Sequence, residues 1–242
     1  MKKALFWDFD GTLVQSPHLW SSSLLGALKD AWPGCPCTLL DVRPLLRSGF
    51  PWDTPFEDHS RMTGDRWWET MDSHFQKVCM KLGASYEAAV CAAGSMRNAL
   101  LKTDHYALYD DTLTVLKQCG EMGFSQYVVS NNHPDLRKVV CGLGLDRFFS
   151  DVIVSGEIGF DKPRKEIFEH ALLKADHPDI CFMIGDNPVA DMEGARKAGI
   201  PALLVHVKEP DAAIQAFETL TQAVDYIREG LNGHQNDAFA GL

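Results

Sequence analysis

Lys3-Ala4-Leu5-Phe6-Trp7-Asp8-Phe9-Asp10-Gly11-Thr12-Leu13 is the stretch on which the fold turns. Residues 3–7 are an apolar run too short for a helix and suited to a strand buried on both faces. The run stops at a carboxylate, and Gly11 follows three positions later. Two aspartates at the end of such a strand are placed for chemistry, although paired aspartates before a glycine also describe an ordinary turn with solvated carboxylates.

Outward from this strand the two sides differ. From about residue 110 the pattern alternates: a helix near 112–119, a strand at 126–130, a helix at 135–142, a strand at 151–154 and a helix at 164–174. It continues with a strand at 181–184, a helix at 189–198, a strand at 202–205 and a last helix at 211–229. Such βα alternation predicts a parallel sheet covered by helices on both faces, a Rossmann-like α/β core. Residues 15–107 do not alternate. They read as helices around a Pro- and Gly-rich stretch, with the clearest helix over 65–82, where Trp67, Trp68, Met71, Phe75, Val78, Cys79 and Leu82 return to one face. This segment is expected to be an inserted helical domain between core pieces 1–14 and 108–230, and residues 231–242 a flexible tail. Five of the six tryptophans fall in the insert. They serve either as a substrate wall or as the core of a small helical unit, and the core is the more economical reading.

Composition narrows the function classes. The net charge of −10 comes without a basic cluster, which argues against nucleic acid, and no apolar run approaches the roughly 20 residues of a membrane span. Met1-Lys2-Lys3 begins as a signal peptide would, but Asp8 and Asp10 cut the apolar stretch short, so a cytoplasmic chain is expected. Seven cysteines without disulfide-rich spacing suit a reducing compartment. Cys35-Pro36-Cys37 lacks the second ligand pair a structural zinc site needs, and reads as a loop.

Three further polar signals sit at strand ends or helix starts, the edge where open parallel sheets bind ligands. Val128-Val129-Ser130-Asn131-Asn132 ends a β-rich run in a hydroxyl and two amides. Ser130 is the better phosphate ligand, while the asparagines divide between ligand and helix-cap roles. Gly159-Phe160-Asp161-Lys162-Pro163 puts a lysine at an expected helix start, where the macrodipole favours anions, so Lys162 implies an anion nearby. Ile184-Gly185-Asp186-Asn187-Pro188-Val189-Ala190-Asp191 supplies two carboxylates that could equally be caps.

Taken in order, the four stretches resemble the four motifs of the haloacid dehalogenase-like hydrolase superfamily, of the phosphatase type with a helical cap between the first and second motifs. The resemblance implies Asp8 as nucleophile, Asp10 as general acid and base, and Ser130, Asn131 and Lys162 on the phosphoryl group. It also implies Mg²⁺ held by Asp8, Asp186 and the Asp10 carbonyl, with Gly11, Thr12 and Asp191 in support. A small phosphorylated metabolite is the expected substrate. Arg164 and Lys165 depart from the pattern, standing where many relatives carry an acidic residue and proline.

Asp10 argues against a hydrolytic dehalogenase, because a departing halide needs no general acid. A phosphonatase would need an activated lysine in the insert, and nothing marks Lys29, Lys77, Lys81 or Lys102 as one. A phosphomutase would use the same Asp8 and Asp10 with a second hydroxyl as acceptor. A binding protein on the same core has no need of Asp8, Asp10, Asp186 and Asp191 together with Lys162. Substrate choice falls to the insert, where Arg43, Arg47, Arg61, Arg66, Arg97 and the loop Gly49-Phe50-Pro51-Trp52 are candidates.

Overall fold

The computed structural model describes residues 1–208 and 215–232. Five parallel strands form the sheet: β1 (Lys3–Trp7), β2 (Ser125–Ser130), β3 (Asp151–Val154), β4 (Ile180–Gly185) and β5 (Ala202–Leu204). Their spatial order is β3-β2-β1-β4-β5, with β1 central, Trp7 level with Val128 on one side and with Ile184 on the other. The chain leaves β1 toward β2 and β3 and returns to β4 and β5. The strand order therefore reverses beside β1, and a crevice for ligand opens at its carboxyl end.

Strand alternation divides the core. Leu5, Trp7 and Phe9 face one hydrophobic layer, Ala4 and Phe6 the other. The buried Trp7 indole donates to Gln126 Oε1 at 3.1 Å, and Gln126 in turn donates to the Leu116 carbonyl, so both of these polar side chains inside the layer are paired.

Between β1 and β2 the chain forms α1 (Leu19–Ala31), α2 (Asp65–Lys81) and α3 (Tyr86–Leu100); residues 32–64, with short helical turns at Leu39–Val42, Arg43–Leu46 and Pro51–Asp53, join the first two, and a short turn joins the last two. Their apolar faces are continuous with the Leu5 and Trp7 layer of the sheet. Trp67 and Trp68 are buried, as the economical reading of the tryptophans expects, whereas Trp20 and Trp52 are only half-buried. A two-stranded antiparallel ribbon, Val14–Gln15 with Ala107–Leu108, marks where the chain leaves and re-enters the core.

The longer of the remaining helices are α4 (Thr112–Glu121), α5 (Leu136–Gly142), α6 (Lys165–Lys174) and α7 (Leu220–Asn232). Two expected helices differ from the sequence reading. Pro188–Glu193 forms π-helical turns and only Gly194–Lys197 is α-helical. The last helix starts at Leu220 instead of 211, because Ala216 first bridges to Leu204; residues 211–214 and 233–242, including most of the expected tail, lie outside the described residues. No helix among the described residues is long and apolar enough to cross a membrane.

Candidate active site

The carboxyl ends of β1, β2 and β4 bring the separate sequence signals to one place. Asp8 follows β1 directly, and its backbone N–H donates to the Ile184 carbonyl at 2.9 Å. The chain then turns sharply: Gly11 takes φ +85°, and a Cβ there would stand 2.4 Å from Asp186 Oδ2. Glycine is needed for both the left-handed backbone and the close approach of a carboxylate. Thr12 Oγ1 lies 3.4 Å from Asp186 Oδ1, a long contact that joins the loop to the end of β4.

Lys162 is buried at the centre. Its Nζ is 2.8 Å from Asp8 Oδ1 and 2.6 Å from Asp191 Oδ1. Burial works against its charge, but the two carboxylates more than offset that and raise its pKa. The macrodipole argument for Lys162 is corrected: α6 begins only at Lys165, so the anions beside Lys162 are carboxylates of the protein rather than a ligand required by a helix end. Asn131 fixes the lysine through its main chain, accepting from Lys162 N–H at 2.7 Å and donating to Lys162 C=O at 2.9 Å. Both polar atoms of the asparagine side chain are thereby engaged by Lys162. Ser130, the last residue of β2, is buried beside it.

Asp10 has a different setting. Its Oδ1 accepts from Ser16 Oγ at 2.5 Å and its Oδ2 from Asn132 Nδ2 at 2.6 Å. Burial outweighs these donors, and with Asp8 adding repulsion it pushes the carboxyl up to about 6. Neither asparagine caps a helix; each is tied to a candidate catalytic residue. Ser16, directly after the Val14–Gln15 ribbon strand, carries no distinguishing signal in the sequence.

The fourth motif resolves likewise. Asn187 is the cap, accepting from Val189 N–H and Ala190 N–H at 3.0 Å each, which leaves both aspartates for other work. Asp191 is fully buried, binding Lys162 through Oδ1 and accepting from Asn187 N–H through Oδ2 at 3.0 Å. A Cβ on Gly185 would come within 2.2 Å of that Oδ2, so a glycine leaves the room Asp191 occupies.

Asp8, Asp186 and Asp191 each present an oxygen, all within 4.8 Å of one another. Asp186 is exposed, yet partial desolvation, then Asp8 and Asp191, raise its carboxyl, and burial raises that of Asp191 despite its lysine partner. Three hard oxygen donors beside a single buried ammonium form a site short of positive charge, and this donor set fits Mg²⁺.

Two residues unmarked in the sequence brace the first loop. Tyr109 OH donates to the Gly11 carbonyl at 3.1 Å, His206 Nε2 lies 2.9 Å from the Thr12 carbonyl, and the two rings stack with centroids 3.7 Å apart.

Residues between β1 and β2 line one side of this edge. A cavity of about 340 Å³ runs from Asp10, Asn131 and Asn132 to Trp20, Leu46 and Trp52. Of the Gly49–Trp52 loop, Trp52 reaches this cavity while Phe50 is buried and stacked against it at 4.7 Å. Arg97 is not free to meet a ligand, because it pairs with Asp135 at 2.7 Å and Asp65 at 2.8 Å. Arg43, Arg47, Arg61 and Arg66 are exposed, and none of them lines the cavity. Lys29, Lys77, Lys81 and Lys102 are exposed as well and do not border it.

A central parallel strand ending in Asp8 and Asp10, with Lys162 and two further aspartates from later loops around it, defines a hydrolase of the Rossmann-like α/β class. The chain belongs to the haloacid dehalogenase-like hydrolase family, whose model matches residues 2–199. Among its relatives, a phosphoserine phosphatase of Thermus thermophilus is 38% identical over 102 residues, a match spanning 41% of each chain. A glyceraldehyde 3-phosphate phosphatase of Methanothermobacter thermautotrophicus is 28% identical over 217 residues, 88% of this chain and 89% of that protein. In structure the chain is similar to the HAD-hydrolase YfnB of Bacillus subtilis bound to magnesium, with a TM-score of 0.69 and 22% identity over 94% of this chain and 99% of that one.

Proposed function

We propose that this protein is a magnesium-dependent hydrolase of small phosphate monoesters that works through an aspartyl-phosphate on Asp8, with residues 15–107 as a helical cap over the catalytic edge. The observation that carries the reading is the unlike setting of two carboxylates in one loop. Asp8 faces the buried ammonium of Lys162, whereas Asp10 is held by the neutral donors Ser16 and Asn132 with its carboxyl pushed to about 6. A carboxyl near neutrality can both give and take a proton at working pH.

An Asp8 oxygen forms the bond to phosphorus as the ester bond breaks, and Asp10 gives its proton to the departing alcohol oxygen. Asp10 then takes a proton from water as that water attacks the phosphorus, releasing inorganic phosphate and restoring Asp8. Lys162 and Ser130 hold phosphoryl oxygens, while Asn131 and Asp191 keep Lys162 in place. Asp8 and Asp186, with the Asp10 carbonyl, would hold Mg²⁺, which when bound neutralises charge on the phosphoryl oxygens. The named activities of the two phosphatase relatives support the reaction class. Asp10 supports it independently, since a proton donor serves an alcohol leaving group and not a halide.

The test is turnover of 4-nitrophenyl phosphate with Mg²⁺ and with EDTA, in wild type and Asp8→Asn, together with mass spectrometry of acid-quenched enzyme. Metal-dependent turnover and a phosphoryl adduct on the Asp8 peptide are expected, both lost in Asp8→Asn. Unchanged turnover in the variant would overturn the assignment.

A further inference from the structure

We infer that the cavity beside Asp10 selects phosphate esters whose leaving group is uncharged, and discriminates against leaving groups that carry a carboxylate or a second phosphate. This rests on the phosphatase reading above and deepens it. The cavity of about 340 Å³ starts at Asp10, the residue that would meet the leaving oxygen, and is large enough for a small metabolite. Its far walls are the rings of Trp20 and Trp52 and the side chain of Leu46; its polar groups near Asp10 are the hydroxyl of Ser16 and the amide of Asn132. Among the described residues lining it there is no lysine or arginine, and the basic side chain at its rim, His18, is exposed.

The electrostatics follow from that inventory. An anionic leaving group would enter a recess that already holds the Asp10 carboxyl, in a chain of net charge −10, and would find no buried cation to repay its lost hydration. A cationic leaving group fares little better. Phe50 stacks on Trp52 at an interplanar angle of 6°, and Trp20 lies among Phe50, Trp67, Phe75 and His133, so much of the π surface a cation would use is taken by other rings. A neutral carbon skeleton packs on these apolar walls; its hydroxyls can donate to the Ser16 oxygen, and its oxygens can accept the second N–H of the Asn132 amide.

The experiment compares kcat/KM for size-matched esters in the same enzyme preparation: glyceraldehyde 3-phosphate and erythrose 4-phosphate as neutral, 3-phosphoglycerate and phosphoserine as carboxylated, phosphocholine as cationic. The neutral esters are expected to exceed the others at least tenfold. Trp52→Lys, which places a cation in the wall, is expected to raise the ratio of 3-phosphoglycerate to glyceraldehyde 3-phosphate by tenfold or more. A ratio within one sample does not depend on the fraction folded, and Leu46→Lys repeats the test from another wall position. Turnover of 4-nitrophenyl phosphate with carboxylated or cationic esters equal or preferred would overturn this inference and leave the phosphatase reading standing. Absence of turnover on every ester, 4-nitrophenyl phosphate included, would overturn both.

Discussion

Asn131 grips Lys162 by both of that residue's main-chain polar groups, accepting from its N–H at 2.7 Å and donating to its C=O at 2.9 Å. The lysine ammonium is thus aimed by a residue that need not touch substrate. Asn131→Ala leaves two main-chain groups unpaired, costing about 1–3 kcal/mol of stability. The loosened lysine is expected to lower kcat for 4-nitrophenyl phosphate by about ten- to a hundredfold. Urea denaturation and steady-state kinetics check the two effects, and kcat within twofold of wild type would remove Asn131 from this role.

Gly185 and Asp191 make a steric test of the same centre. A methyl group on residue 185 would meet Asp191 Oδ2 at 2.2 Å, so Gly185→Ala must push Asp191 off Lys162 or off the Asn187 amide. Overpacking of this kind costs about 1–3 kcal/mol. Turnover in Gly185→Ala is expected to fall at least tenfold in protein that is still folded by circular dichroism.

Metal binding has a readout apart from turnover. Mg²⁺ at a hundred times its dissociation constant adds about 2.7 kcal/mol to a fold that binds it, which in a chain of this size raises Tm by about 5–10 °C. Asp186→Asn is expected to abolish that rise. Without metal the variant should melt above metal-free wild type, because it removes one of three crowded carboxylates. Equal Mg²⁺ shifts in the two proteins would exclude Asp186 as a ligand.

Asp135 ties the insert to the core and should make stability depend on acid. Its carboxylate accepts from the Trp68 indole at 2.9 Å and from Arg97 Nε at 2.7 Å, and Lys138 Nζ stands 2.8 Å away. Burial alone would raise it, but hydrogen bonds from Arg97 and Lys138 prevail and lower it to about 2. A carboxyl depressed in the folded state stabilises it fully above its unfolded pKa near 4, and that contribution disappears as pH falls through 2. Asp135→Asn is therefore expected to cost roughly 1–2 kcal/mol at pH 7 and to narrow the difference from wild type below pH 3, as read by urea titrations across pH.

Tyr109 and His206 offer a milder perturbation. Tyr109→Phe removes only the hydrogen bond to the Gly11 carbonyl and keeps the stack on His206. A fall in kcat of about two- to tenfold with the fold intact is expected from a slightly looser catalytic loop, in keeping with about 1 kcal/mol for one hydrogen bond.

The run at 3–7, the βα alternation after residue 110 and the polar residues at the strand ends were enough to determine the parallel sheet and the catalytic edge. Strand and helix periods are local, and a parallel sheet leaves its strand ends on one side. The same local reading misplaced the last helix, because a long-range bridge from Ala216 to Leu204 occupies the chain before the helix begins at Leu220. It also left Asn131, Asn132, Asp186 and Asp191 divided between caps and ligands. That choice is made by contacts across 29 to 122 residues of chain: Asn131 with Lys162, Asn132 with Asp10, Lys162 with Asp191. Ser16, Tyr109 and His206 carry no mark in the sequence, since a serine, a tyrosine and a histidine look the same wherever they face. Sequence determined which carboxylates, hydroxyls, amides and amines lie at the strand ends. Only the tertiary structure decided which of them stand together, and that the recess beside Asp10 is lined by tryptophan and leucine with no buried cation among the described residues that line it, because side-chain partners and cavity walls come from segments far apart in the chain.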